Sequence, residues 1–121
     1  MNSQSEKIST ALKQNSVRIL KAFKGISKDP TYGFIANQVF RASTSAGANY
    51  EEACGAESRA DFIHKLHISY KELRETKYWL NLIQSSDIGD VEEISNILAS
   101  TDLLLRIIGK SLITSKKNSK R

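Results

Sequence analysis

The chain is poor in the residues that break, staple or span. Its 121 residues include one cysteine, one proline, one methionine, one tryptophan and six glycines. A lone thiol, Cys54, closes no intramolecular disulfide, and no motif places it among metal ligands. No apolar run approaches the roughly 20 residues a membrane-spanning helix needs, the longest being short clusters such as LLLRII near the C-terminus. No N-terminal stretch joins a basic region, an apolar run and a small-residue cleavage site. These absences argue against a disulfide-rich secreted scaffold and a membrane protein, and the expected compartment is the cytoplasm. So few prolines, glycines and β-branched alternations leave little room for a sheet, and the expected class is all-α. The length suits one domain with a real core.

What is present is helical periodicity between a few breaks. Ser27-Lys28-Asp29-Pro30 closes a first helix over about 5–27, because proline suits the first turn of the next helix and disfavours helix just before it. Cys54-Gly55-Ala56-Glu57-Ser58 forms the next break, with Ser58 and Asp61 spaced like a capping box, so a third helix runs to about Ile83. Gly89, Asp90 and Glu93 mark the start of a fourth, ending near Thr114. Apolar stripes follow: Ile8, Leu12, Ile19, Phe23 and Ile26; then Ile63, Leu66, Tyr70, Leu73, Leu80 and Ile83; then Ile94, Leu98, Thr101, Leu105, Ile108 and Leu112. Short connections between long helices predict an antiparallel up-down-up-down four-helix bundle over 1–115, with 116–121 as a basic polar tail.

Residues 42–50, ASTSAGANY, hold almost nothing large. Read as part of a second helix over 31–53, they continue an inward stripe of Ile35, Val39, Ala42, Ala46, Tyr50 and Ala53. Small residues on a buried face let a neighbouring helix approach closely. A phosphate-gripping loop would need a glycine fingerprint between strand and helix, which is absent.

Candidate chemistry is sparse. Asp61 and His64 share a helical face, as do His64 and His67, but a di-iron bundle needs two such motifs plus two further glutamates, and zinc needs three or four ligands; no metal or other cofactor is expected. Arg59-x4-His64 looks like the Arg-x4-6-His motif of the helical HEPN ribonucleases, in which arginine would stabilise phosphate charge and histidine would move a proton. The bland reading makes Arg59 an ion-pair partner of Glu57, and the expectation is no catalytic residue. Asn49, Glu52 and Glu72 are read as a structural polar cluster with Arg41 and Ser45. Apolar residues off the main stripes, Phe62, Ile68, Trp79 and Leu82 on the third helix and Leu103, Leu104 and Ile107 on the fourth, exceed what one core absorbs and predict a homo-oligomer interface.

Charge is the most informative functional feature. Residues 1–28 hold six basic and one acidic residue, 29–105 hold six and twelve, and 106–121 hold six and none. In an antiparallel bundle the two basic segments meet at one end. The expected phosphate-binding residues are Lys7, Lys13, Arg18, Lys21, Lys24, Lys110, Lys116, Lys117, Lys120 and Arg121, binding RNA or DNA by charge with no aromatic platform. Solubility alone is the competing account of the same lysines.

From Ile35 to Ile83 the chain closely resembles the bacterial four-helix proteins encoded within intervening sequences of 23S ribosomal RNA genes, a family that includes the accessory protein of diversity-generating retroelements. The resemblance is carried by Arg41, Ser43 and Ser45, by Asn49 and Glu52, by Ser58, Arg59, Asp61 and Phe62, and by Glu72. The chain departs from many relatives in having Gly47 where they have proline. The resemblance implies a four-helix protomer assembled as a pentamer, without catalytic activity, and partnership with nucleic acid or a reverse transcriptase. A pure protein-interaction scaffold is the alternative.

Overall fold

Each helix begins where the sequence supplies a cap. Among residues 1–25 and 28–119, which the computed structural model describes, the elements are α1 (Ser3–Ala22), α2 (Pro30–Cys54), α3 (Arg59–Ser85) and α4 (Val91–Ser119). The expectations for Ile26, Lys120 and Arg121 lie outside these residues. Asn2 accepts from the Ser5 N–H at 2.8 Å, Asp29 from Thr31 and Tyr32 at 2.9 and 3.1 Å, Ser58 from Asp61 at 3.1 Å, and Asp90 from Glu93 at 3.0 Å. Each bond satisfies a first-turn donor that has no partner inside its helix.

The stops were harder to foresee. α1 ends at Ala22, several residues before the expected 27, because Phe23 becomes the C-cap and turns its ring into the core. α4 instead runs on to Ser119, so Lys116 and Lys117 form part of its last turns and the expected boundary at 115 falls inside a helix. Nothing in SLITSKKNS breaks a helix, and cations suit its C-terminal pole. α3 closes in a Schellman arrangement: the Ile88 N–H reaches the Ile83 carbonyl at 3.4 Å, the Asp87 N–H reaches that of Gln84 at 3.3 Å, and Ile83 and Ile88 belong to the same apolar cluster. Asp87 sits at φ 54°, a left-handed conformation that glycine adopts without steric cost. Asp87→Gly is therefore expected to stabilise the fold by up to about 1 kcal/mol. A lower denaturation midpoint for this variant would contradict the assignment.

Cross-helix bonds fix the topology. Ser9 meets Glu51 and Ser16 meets Ser43; Lys65 meets Glu52 and Ser69 meets Ala46; Lys77 meets Asp102 and Gln84 meets Ser95; Asn15 meets Thr101 and Arg18 meets Glu93. In every pair the later residue of one helix meets the earlier residue of the other, so all four neighbouring pairs are antiparallel. The diagonal pairs do not approach, α2 and α3 pack most closely, and α1 and α4 least. The expected four-helix bundle is what forms.

The core is divided. One apolar cluster, including Ile8, Leu12, Tyr50, Leu66, Leu73, Leu104 and Ile108, fills the end where α1 begins and α4 ends; another, including Ile19, Phe23, Val39, Leu80, Ile83 and Ile97, fills the opposite end. Buried polar side chains contributed by all four helices accompany them: Asn15, Ser16, Ser43, Ser69, Thr76 and Thr101. Ser16 and Ser43 share a hydrogen bond of 2.7 Å, the Asn15 amide donates to Thr101 Oγ1 at 2.9 Å and accepts from Ser100, and Thr101 donates on to the Ile97 carbonyl at 2.7 Å. Ser69 donates to the Ala46 carbonyl at 2.7 Å and Thr76 to that of Glu72 at 2.9 Å. Among the described residues no buried side-chain polar atom lacks a partner. A satisfied set of this kind favours one helix register, because slippage would strand polar groups in apolar surroundings.

Ala42 and Ala46 are fully buried, as expected for a face of close approach, and the Ser69 bond to the Ala46 carbonyl shows how near α3 comes to the α2 backbone. Four expected core residues, Ile35, Ile63, Tyr70 and Leu105, are half-buried flanks, whereas Leu104, expected outside the stripe, is in the core.

Candidate nucleic-acid interface

The expected basic end is not a single surface. Lys7, Lys13 and Lys21 are exposed on α1, away from its buried face of Ile8, Leu12, Asn15 and Ile19. Arg18 is not open for a ligand in the same way, since its Nε donates to Glu93 at 3.0 Å across the α1/α4 seam. Lys24 lies in the turn after α1 and is exposed, as is Lys116 on α4. Lys110 and Lys117 turn toward α3.

That turn creates a strongly basic concavity. A groove of about 1110 Å³ runs along the α3/α4 edge, lined by Arg74 and Lys77 from α3 and by Arg106, Lys110 and Lys117 from α4. Its one carboxylate, Asp102, is paired with Lys77 at 2.8 Å. Among the described residues no ion pair engages Arg74, Arg106, Lys110 or Lys117. Tyr70 and Tyr78 also line the groove, which corrects the expectation of charge without aromatics. Gly109 gives Tyr70 its room: a methyl group there would stand 3.2 Å from the ring. Tyr78 is 61% exposed and packs edgewise on Trp79, with ring centroids 5.2 Å apart.

Arg74 and Lys77 were missed because they fall within the acidic middle of the sequence, and Arg106, which opens the basic C-terminal segment, was not among the expected phosphate-binding residues. Around α3 the charges are sorted: Arg74 and Lys77 face α4, while Glu72 and Glu75 face α2 and both bind Arg41, Glu72 at 3.2 Å. The expected polar cluster is thus spread along the α2/α3 seam. Arg41 joins Glu72, the Asn49 amide donates to the Ser45 carbonyl at 2.9 Å and lies 3.3 Å from its hydroxyl, and Glu52 lies 3.8 Å from Lys65.

The expected interface residues are mostly drawn into the protomer. Phe62 and Ile107 pack against the first apolar cluster. Trp79 packs against the second, donates its indole N–H to Glu75 at 3.0 Å, and meets Phe34 edge to face. Leu82 is half-buried, and Leu103 alone of the set is openly exposed, at 51%. The apolar surplus is real but lies partly elsewhere, at Leu20, Phe34, Tyr78 and Ile113. A second groove of about 620 Å³ between α1 and α4 has Ile8, Leu103, Leu104 and Ile107 in its lining, with Lys7 and Arg18.

The catalytic alternatives find little geometry. Arg59 and His64 are both exposed on the first turns of α3, and five residues of helix set them roughly 140° apart around its axis. Arg59 makes no ion pair with Glu57 among the described residues. Among those residues no group of three or more His, Cys, Asp or Glu side chains could hold a metal ion. Burial pushes the Cys54 thiol above its ordinary pKa, and the Tyr50 phenol beside it likewise, so Cys54 stays protonated and weakly nucleophilic at neutral pH. No helix among the described residues is long and apolar enough to cross a membrane.

No curated protein matches the chain. A solved structure does: a protein with unknown function from the S23 ribosomal protein family of Bacteroides thetaiotaomicron VPI-5482 is 31% identical, with a TM-score of 0.80 over 87% of this chain and 97% of that one. The sequence pattern of the family described as 23S rRNA-intervening sequence protein matches residues 6–110. A match over that span, with a solved S23 relative of the same architecture, means that this chain belongs to the 23S rRNA-intervening sequence protein family.

Proposed function

We propose that this protein is a non-catalytic, self-associating bundle that binds nucleic-acid phosphates through its outward cations, on its own or beside an enzyme such as a reverse transcriptase that handles the same strand. The observation that carries the reading is the sorting of charge. Glu52, Glu72, Glu75, Glu93 and Asp102 are each engaged by a cation in a seam between helices. Lys7, Lys13, Lys21, Arg74, Arg106, Lys110 and Lys117 remain exposed on the outside. Each pair removes a cation along with its carboxylate, so the net charge stays at +5 and the positive field is local to the faces where these cations lie.

Self-association has its own support in the half-apolar α1/α4 groove with Leu103 at its surface, and a pentamer is the assembly the family resemblance favours. Repeating the basic surface around a ring would multiply its affinity for a polyanion. The same groove supports the second reading, a scaffold that binds only protein.

Binding by phosphate contact has a distinctive signature. Log affinity is expected to fall linearly with log salt, with a slope of about −0.7 per phosphate for single strands and about −0.9 for duplex DNA. Deleting residues 116–121 should flatten that slope, and light scattering on the same sample should return a multiple of 13.5 kDa. Absence of binding to either probe at low salt would leave the scaffold reading; a monomer mass would remove the assembly.

A further inference from the structure

We infer that the α3/α4 groove is a site for single-stranded nucleic acid, with Arg74, Arg106, Lys110 and Lys117 holding phosphates and Tyr78 stacking on a base. The inference rests on the phosphate-binding reading above and adds to it a location and a strand preference.

Charge complementarity points to a polyanion. Four cations without an ion-pair partner among the described residues line one groove whose only carboxylate is already paired with Lys77. They come from two antiparallel helices, so the charge follows the groove instead of clustering at one point. Arg106 to Lys117 alone covers about 16 Å of helix axis, suited to tracking a backbone with repeated charges. The exposed ring of Tyr78 distinguishes among polyanions. It is 61% exposed, adds little to the core, and has its plane steadied by the edgewise contact with Trp79. An unpaired base offers a π-face to such a ring, whereas a duplex hides its base faces within the stack. The combination of phosphate-tracking cations with an aromatic ring is how strands are held without sequence readout.

The test uses the full-length protein, a labelled oligothymidylate and a duplex of equal length, with anisotropy for affinity and emission from the single tryptophan, Trp79, as a local report on Tyr78. Tyr78→Ala is expected to weaken single-strand binding about 5- to 100-fold and duplex binding less than about 2-fold, while Tyr78→Phe retains the affinity. Arg106→Gln combined with Lys110→Gln should reduce the single-strand salt slope by about 1.4, and Lys28→Gln combined with Lys71→Gln, two exposed lysines outside the groove, should leave it nearly unchanged. Equal loss for both probes in Tyr78→Ala, or no loss, overturns the stacking assignment. Binding that survives the Arg106/Lys110 change but disappears when Lys7→Gln and Lys13→Gln are combined on α1 overturns the groove and leaves the phosphate-binding reading intact. Failure of the unmodified protein to bind either probe overturns both. Polyglutamate binding as tightly as the oligonucleotide, with the same sensitivity to Tyr78→Ala, assigns the groove to acidic protein and overturns the inference. Circular dichroism confirms that each variant is folded, as expected for exposed positions.

Discussion

Replacing Ala46 with leucine is expected to lower the unfolding free energy by about 1–3 kcal/mol. Ala46 has no exposed surface, and its carbonyl accepts the Ser69 hydroxyl at 2.7 Å. On the α1 side, a methyl group added at neighbouring Gly47 would lie 3.8 Å from the Leu12 Cβ, so α2 is closely packed from both directions. Three extra carbons at Ala46 must either take strained rotamers or push α3 away, which strands the buried Ser69 hydroxyl. The same change at Ala48, which is exposed on the same helix, should move stability by no more than about 0.5 kcal/mol. Chemical denaturation of the two variants decides the matter, and equal midpoints would show that the small-residue face is not a packing constraint.

Asn15→Asp is expected to have a larger effect, and one that depends on pH. Asn15 is 2% exposed, donates to Thr101 and accepts from Ser100. A protonated carboxyl at this position reproduces both bonds, donating with its hydroxyl and accepting with its carbonyl. An ionised carboxyl loses the donor and places a charge in the core, so burial raises the pKa of the folded variant above the unfolded value of about 3.9. The variant should therefore approach normal stability at about pH 4 and lose about 1.4 kcal/mol per pH unit above it until the folded pKa is reached. Several kcal/mol of destabilisation at neutral pH follows. Denaturation series for both proteins across this range provide the measurement, and a stability difference independent of pH would mean that position 15 is hydrated.

How these two positions differ in legibility is instructive. Ala46 could be placed from sequence because Val39, Ala42, Ala46, Tyr50 and Ala53 keep helical spacing and none is charged. Asn15, Ser69 and Thr76 could not be placed by hydropathy, which assigns such residues to water. Their spacing was the available signal: Leu66, Ser69, Leu73, Thr76, Leu80 and Ile83 alternate steps of three and four without a gap, and Ser69, rather than Tyr70, completes the series. The capping residues were readable because their chemistry is local. The α3/α4 groove was not, because Arg74, Lys77, Arg106 and Lys110 are joined by packing, and a charge count along the chain dilutes the α3 pair with carboxylates that project toward α2.

Three of the four packed helix pairs are consecutive in sequence and are joined by short turns; only α1 and α4 must find each other across the length of the chain. Local contacts incur little loop-closure entropy, which places this topology among those that fold quickly. Closure of the bundle then depends on the loosest joint, where the Arg18–Glu93 pair is more than a third exposed on each side and Asn15–Thr101 supplies the buried bond. The step that completes the ring of helices is thus the one with the greatest entropic cost and the least packing in return. Over the lifetime of the native state, the same balance makes undocking of α1 a less costly fluctuation than separation of α2 from α3.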